Sequence, residues 1–172
     1  EVLALIHLVN TYMRFTTYNE IRDKIKTGDV YFTASHTIGG ATIRGVTRSE
    51  VSHCGLFKVS EGRITMLEAQ AGEKIQEVYC STALKDKPIY YMDTSIIRKR
   101  HGITDKHIKD FFEKYEGQPY DTIGMLLSLW FKVPNRELFC AETVAEALKI
   151  RMPHLRRNTT PADILTALYL LR

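Results

Sequence analysis

"SHCGLFKVSEGRITMLEAQ", residues 52–70, decides how this chain folds. Two apolar runs flank a Glu-Gly pair, the pattern of a tight hairpin. With Glu61 and Gly62 as the turn, Val59 faces Ile64, Phe57 faces Met66, Gly55 faces Glu68 and His53 faces Gln70. Side chains alternate along a strand, so all eight share one face of the ribbon. That face is apolar beside the turn and polar at the far end.

Further strands flank the hairpin. "DVYFTAS" (29–35) is rich in β-branched and aromatic residues, and "KIQEVYC" (74–80) and "KPIYYMDT" (87–94) follow as two more strands. Short strands in succession, without helices between them, favour an antiparallel sheet. Helices come at both ends of the chain. "TTYNEIRDKIKTGD" (16–29) opens on a Thr17/Glu20 capping box and stops at Gly28. The apolar segment 2–13 before it reads as another helix or an extension of this one. "TDKHIKDFFEKYEG" (104–117) spaces Ile108, Phe111, Phe112 and Tyr115 at helical intervals, with Thr104 as cap and Gly117 as stop. "DTIGMLLSLWFKV" (121–133) reads as a buried helix. "ELFCAETVAEAL" (137–148) puts Ala141, Val144, Ala145 and Leu148 on one helical face. "TTPADILTALYLL" (159–171) has Thr160 as cap, Pro161 at the first helical position and Asp163 at the capping-box position. The Gly- and Thr-rich stretch 36–50 reads as a long loop. The class is α+β.

Length and composition narrow the rest. The chain has 172 residues, 44% of them apolar and 26% charged, with a formal charge of +4. That fits one domain over 1–172, a helical segment (1–25) preceding a core (26–168). The basic runs "IRKRH" (97–101) and "LRR" (155–157) are short and read as solvated surface, so no nucleic acid is expected. Cys54, Cys80 and Cys140 are odd in number and lack CxxC spacing. This argues against a disulfide framework and for a reducing, cytoplasmic setting, with no metal and no cofactor. The chain opens on Glu, the mark of a fragment or processed form, and its true N-terminus, with any signal or anchor, would then lie upstream. "VLALIHLVNTYM" (2–13) is too short and interrupted to span a bilayer.

The chemistry concentrates on three residues. Cys140 stands in the first turn of its helix, where the helix dipole lowers a thiol pKa and a backbone N–H is free to serve as an oxyanion donor. His53 and Glu68 are diagonal neighbours across the hairpin, about 7–8 Å apart between backbones, and Gly55 leaves space beside them. A carboxylate beside an imidazole fixes its tautomer and favours its charged form. A helix start and a charged imidazole together would convert Cys140 into a nucleophile. The competing reading is that Cys140 is a small core residue. Sequence alone does not bring residue 140 to residue 53.

The order of the pieces supplies a reason for them to meet. "TGDVYF", "SHCGLF", "LEA", "PYD", "FCAETVAEAL" and "TPADIL" resemble, in that order, the circularly permuted papain-like (NlpC-type) cysteine hydrolases. Lecithin:retinol acyltransferase-like enzymes and a poxvirus branch are related groups. The resemblance covers roughly residues 26–168. It implies an antiparallel sheet packed on helices, with the His strand preceding the Cys helix. It implies Cys140 as nucleophile, His53 as base and Glu68 as orienter, and it matches Tyr120 of "PYD" to a recurrent tyrosine that lines the site or donates to an oxyanion. Gln70, opposite His53, is taken with Tyr120 as a substrate-binding or oxyanion residue. The residue after the cysteine is often Ser in such proteins and here is Ala141, which bears on helix capping more than on chemistry.

The implied activity is hydrolysis of an amide bond in a peptide or peptidoglycan-like substrate. The alternatives are a thioesterase, lipase or acyltransferase acting on a lipid-like chain, and a binding module that has lost turnover. Cys54 points to the opposite sheet face and reads as a core thiol, and Cys80 as structural. His36 reads as a solvated loop residue, His101 and His107 as surface or helix-boundary residues, and Asp121 as a helix cap. Trp130 with Leu126, Leu127 and Phe131 reads as core, with an acyl- or membrane-facing surface as the alternative.

Overall fold

A computed structural model of the chain describes residues 13–34, 38–68, 74–119, 140–150 and 159–171. The elements run α1 (Tyr18–Ile21), β1 (Val30–Thr33), α2 (Ile38–Thr47), β2 (His53–Ser60), β3 (Arg63–Glu68), β4 (Gln76–Tyr79), α3 (Cys80–Ala83), β5 (Ile89–Met92), α4 (Ser95–His101), α5 (Asp105–Tyr115), α6 (Cys140–Ala147) and α7 (Pro161–Leu171). A 3₁₀ turn over Arg22–Lys24 extends α1. The class is α+β, as expected. The five strands pair antiparallel in the order β4-β3-β2-β1-β5.

The hairpin takes the register that its turn dictates: Val59 pairs with Ile64 and Phe57 with Met66. Glu61 and Gly62 both have positive φ, 51° and 73°. Two left-handed residues in succession make the turn that matches the twist of the flanking strands.

Helices and turns cover both sheet faces. Val30, Phe32, Cys54, Leu56 and Met92 face a larger core completed by α4, α5, α6 and α7. Tyr31, Phe57, Met66 and Ile89 face a smaller core with Tyr18, Ile21, Cys80 and Leu84. Burial on both sides explains why β1 reads as an unbroken run instead of alternating: all four of its residues are buried.

α6 packs across β2. Its inner face is Ala141, Val144, Ala147 and Leu148, none more than 1% exposed. Ala145, expected on that face, is only partly buried. Two of the four inner residues are alanines, so the helix lies close to the sheet. The far end of α6 is tied down. Lys149 is left-handed (φ 51°), and the Ile150 N–H donates to the Ala145 carbonyl at 2.8 Å, closing the helix. His101 Nδ1 lies 3.0 Å from the Leu148 carbonyl and His107 Nε2 lies 3.2 Å from that of Ala147. Expected as surface or boundary residues, these two histidines hold the last carbonyls of α6.

Other expectations are corrected as well. Residues 36–50, expected as a loop, contain α2 over Ile38–Thr47. Gly39, Gly40 and Gly45 each cost about 1 kcal/mol in a helix and obscured it. Buried Gly40 and Ile43, one turn apart, make the inward stripe that stabilises it. The helix closes where Arg48 turns left-handed (φ 52°) and the Ser49 N–H donates to the Arg44 carbonyl at 3.3 Å.

"IRKRH" is not a solvated run throughout. Ile97 is 1% exposed, and the Arg98 side chain, 12% exposed, reaches the Thr27 carbonyl and Asp105. Gly28 is not the helix stop, because helical structure ends at Lys24. Its φ of +86° turns the chain into β1, and a Cβ there would lie 2.9 Å from Arg98 Cδ. The remaining caps form as expected: Thr17 with Glu20, Thr104 with the His107 N–H, and Thr160 with Asp163. The segments 2–12, 121–133 and 155–157 lie outside the described residues. Among the described residues no helix is long and apolar enough to cross a membrane.

Candidate active site

Cys140 opens α6, His53 opens β2 and Glu68 closes β3. The fold brings all three to one cavity, lined also by Cys54, Gly55, Leu56, Leu67, Ile75, Phe112 and Thr143. Docking of α6 across β2 does this, because it sets the first turn of the helix beside the start of the strand. Cys140 and His53 are partly exposed, whereas Cys54 is 1% exposed.

The electrostatics bias each group in a definite direction. The Cys140 thiol is drawn well below its ordinary pKa, most strongly by a hydrogen bond from the Cys54 thiol. Burial opposes this, and the charge and hydrogen bond of His53 and the Cys54 backbone N–H reinforce it. Burial works against a charged His53. The Cys140 thiolate, by charge and hydrogen bond, and the Glu68 carboxylate outweigh it and raise the imidazole pKa, with Lys87 acting against them. Burial, with the hydrogen bond and charge of Cys140, pushes the Cys54 thiol well above its ordinary value. These shifts all point the same way: they favour a proton on Cys54, a charged His53 ring and an ionised Cys140 sulfur.

Glu68 reaches the ring by its field. Its carboxylate is part exposed and lies 3.9 Å from Lys87 Nζ. Among the described residues, His53 Nε2 makes its hydrogen-bond contact with the hydroxyl of Tyr31, at 3.5 Å. Tyr31 pairs with Gly55 across β1 and β2. Gly55, expected to leave room for Glu68, leaves room for Tyr31 instead: a Cβ there would lie 2.5 Å from the Tyr31 oxygen.

Sequence reasoning therefore missed two residues of the site. Cys54 does point away from His53, into the larger core, as expected. That is also the face on which α6 packs, so the core thiol meets Cys140, and helix docking is not written in strand periodicity. Tyr31 was hidden because the pairing of β1 with β2 spans a helix. A glycine inside a strand was the signal for it, since such a glycine often marks a close approach. Cys80 fits its structural reading: it is fully buried, and burial first, then Glu68, pushes its thiol up to about 12. Tyr120, Gln70, Asp121, His36 and Trp130 lie outside the described residues. Among the described residues, no group of three or more His, Cys, Asp or Glu side chains is placed to hold a metal ion.

No family model matches the chain, and no curated protein matches it in sequence. Among solved structures it is similar to one described as metalloprotein yiiX from Escherichia coli O157:H7, DUF1105. The TM-score is 0.53 at 16% identity, over 72% of this chain and 64% of that one. The chain thus spans less than two thirds of that protein's length, and at this identity the likeness is one of fold alone.

Proposed function

We propose that the chain is a cysteine hydrolase with a permuted papain-like, NlpC-type fold, cleaving an amide bond in a peptide or peptidoglycan-like substrate. The observation that carries this reading is the pairing of Cys140, its thiol pKa drawn down at a helix start, with His53, its imidazole pKa drawn up in the same cavity. A thiolate beside an imidazolium is an activated nucleophile with its general acid already in place.

In this mechanism the Cys140 sulfur attacks the carbonyl carbon. The backbone N–H of Cys140, in the first turn of α6, is one that the helix itself does not use, and in this mechanism it serves the oxyanion. His53 gives its proton to the leaving amine, and a thioester on Cys140 results. The neutral imidazole then takes a proton from water, whose oxygen displaces the sulfur, and the thiolate–imidazolium pair is restored. Glu68 favours the charged ring through its field. The similar structure is called a metalloprotein. Among the described residues here, no group of three or more His, Cys, Asp or Glu side chains is placed to hold a metal ion.

One observation favours a second reading. Leu56, Leu67, Ile75 and Phe112 give the cavity an apolar wall, which suits a lipid-like acyl chain and thioesterase, lipase or acyltransferase chemistry. Intact-mass trapping separates the readings. The protein is mixed with short peptide amides and, separately, with long-chain acyl esters and thioesters, then quenched in acid. A transient acyl adduct on Cys140 from the amides is the expected result. An adduct from the acyl esters alone transfers the assignment to the second reading. No adduct from any substrate, with Cys140 still alkylated rapidly, indicates a binding module.

A further inference from the structure

We propose that Tyr31 is the positioning residue for His53, holding the ring through its hydroxyl across a slot that Gly55 opens. The inference rests on the hydrolase reading above and adds to it the group that fixes the imidazole. Tyr31 sits in β1 directly opposite Gly55 in β2. Its ring lies over the β2 backbone so closely that a Cβ at residue 55 would stand 2.5 Å from the phenol oxygen and 2.7 Å from Cε1 and Cζ. Only glycine permits that approach. The ring is fully buried and packs on Phe57 at 5.1 Å between centroids, so its place is set by the core. Its hydroxyl reaches His53 Nε2 at 3.5 Å, with ring centroids 6.0 Å apart. A buried phenol needs a hydrogen-bond partner, and among the described residues His53 is the one within reach of the Tyr31 hydroxyl.

The consequence is a choice of nitrogen. In the proposal Nε2 is the nitrogen that Tyr31 holds and Nδ1 the one that exchanges the proton with Cys140, the other hydrogen-bond partner of the ring. In the charged ring both nitrogens carry protons, so the Tyr31 oxygen accepts from Nε2–H, and the proposal has that bond kept when the ring becomes neutral. The neutral ring then keeps its lone pair on Nδ1, where deacylation needs it. Among the described residues, the charged or titratable groups acting on His53 are Tyr31 from β1, Glu68 from β3, Cys140 from α6 and Lys87 from the segment before β5. Glu68 supplies charge from a part-exposed position that it shares with Lys87, and Tyr31 supplies geometry from the core.

The test is nitrogen-15 NMR of the histidine rings in the full chain, with His53 assigned from His53→Gln. In Tyr31→Phe the His53 pKa falls, and its neutral form shifts proton population from Nε2 to Nδ1. Alkylation of Cys140 by iodoacetamide at pH 7 slows by about three- to tenfold, the size of one hydrogen bond to a charged group. Gly55→Ala keeps the hydroxyl but displaces the ring, and gives the same tautomer change. Glu68→Gln lowers the His53 pKa while leaving the tautomer on Nε2. If Gly55→Ala does not fold, Tyr31→Phe decides alone, because it only removes an oxygen. A folded Tyr31→Phe with wild-type His53 tautomer, pKa and alkylation rate overturns the proposal and leaves the hydrolase reading standing. An unreactive Cys140 in the wild type overturns the hydrolase reading, and the proposal with it.

Discussion

Cys140→Ala is expected to lower kcat/KM on an amide substrate by at least about 10³-fold, with the fold intact. The size follows from the chemistry. Without the sulfur no thioester forms, and only the oxyanion donor and substrate binding are left to act. Ala is a good residue for the first turn of a helix, and the inner face of α6, Ala141, Val144, Ala147 and Leu148, does not include Cys140. The unfolding midpoint should therefore move by only a few degrees. Cys140 and His53 act as a unit, so the double variant Cys140→Ala/His53→Ala should lose no more than the single ones. Steady-state kinetics with circular-dichroism melts checks both parts. Turnover within tenfold of wild type in a homogeneous Cys140→Ala preparation would exclude Cys140 as nucleophile.

Asp29→Ala should cost about 3 kcal/mol and lower the melting temperature by roughly 6–12 °C, without touching the reacting groups. Asp29 is fully buried at the entry to β1. It accepts from the Lys26 N–H at 2.9 Å, the Tyr91 hydroxyl at 2.7 Å and the Thr94 N–H at 3.0 Å. One carboxylate thereby ties the turn before β1 to the end of β5. Alanine would orphan those donors, and each buried orphan costs about 1–3 kcal/mol. Burial raises the Asp29 pKa, with the hydrogen bonds from Thr94, Tyr91 and Lys26 opposing it. The folded state therefore holds this proton more tightly than the unfolded chain. The stability it contributes is full below the unfolded value and falls as pH rises through the raised one. Asp29→Asn, which does not titrate, should lack that slope in melts run from pH 3 to pH 7. A midpoint within 2 °C of wild type for Asp29→Ala would refute the structural role.

Local rules explain how much was legible. The hairpin register, the helix caps at Thr17, Thr104 and Thr160, and the inward stripe of α6 each depend on residues a few positions apart. What local rules do not reach is pairing across distance. Tyr31 meets Gly55 only because β1 pairs with β2 across α2, and Cys54 meets Cys140 only because α6 docks on that sheet face. α2 itself was illegible because its three glycines argue against a helix, and packing of Ile43 outweighs them. Arg98 was misread because a basic run looks solvated until the buried Thr27 carbonyl and the exposed Asp105 are found as its partners.

The account depends most directly on the ionisation of Cys140. Site-resolved alkylation measures it: the chain is pulsed with iodoacetamide between pH 5 and pH 9, digested, and the three cysteines are quantified by mass spectrometry. An ordinary thiol of pKa about 8.5 is only about 1% ionised at pH 6.5. Cys140 is held well below that value and His53 above its own, so the thiolate–imidazolium pair should persist between the two. The predicted result at pH 6.5 is Cys140 labelling about tenfold faster than a cysteine in a short peptide, allowing for the lower nucleophilicity of a low-pKa sulfur. Its rate should hold as pH falls until the lowered Cys140 value is crossed, while Cys54 and Cys80, buried and protonated, stay unlabelled. A Cys140 profile that rises with an ordinary midpoint near 8.5, or labelling no faster than at Cys54 and Cys80, would contradict the account.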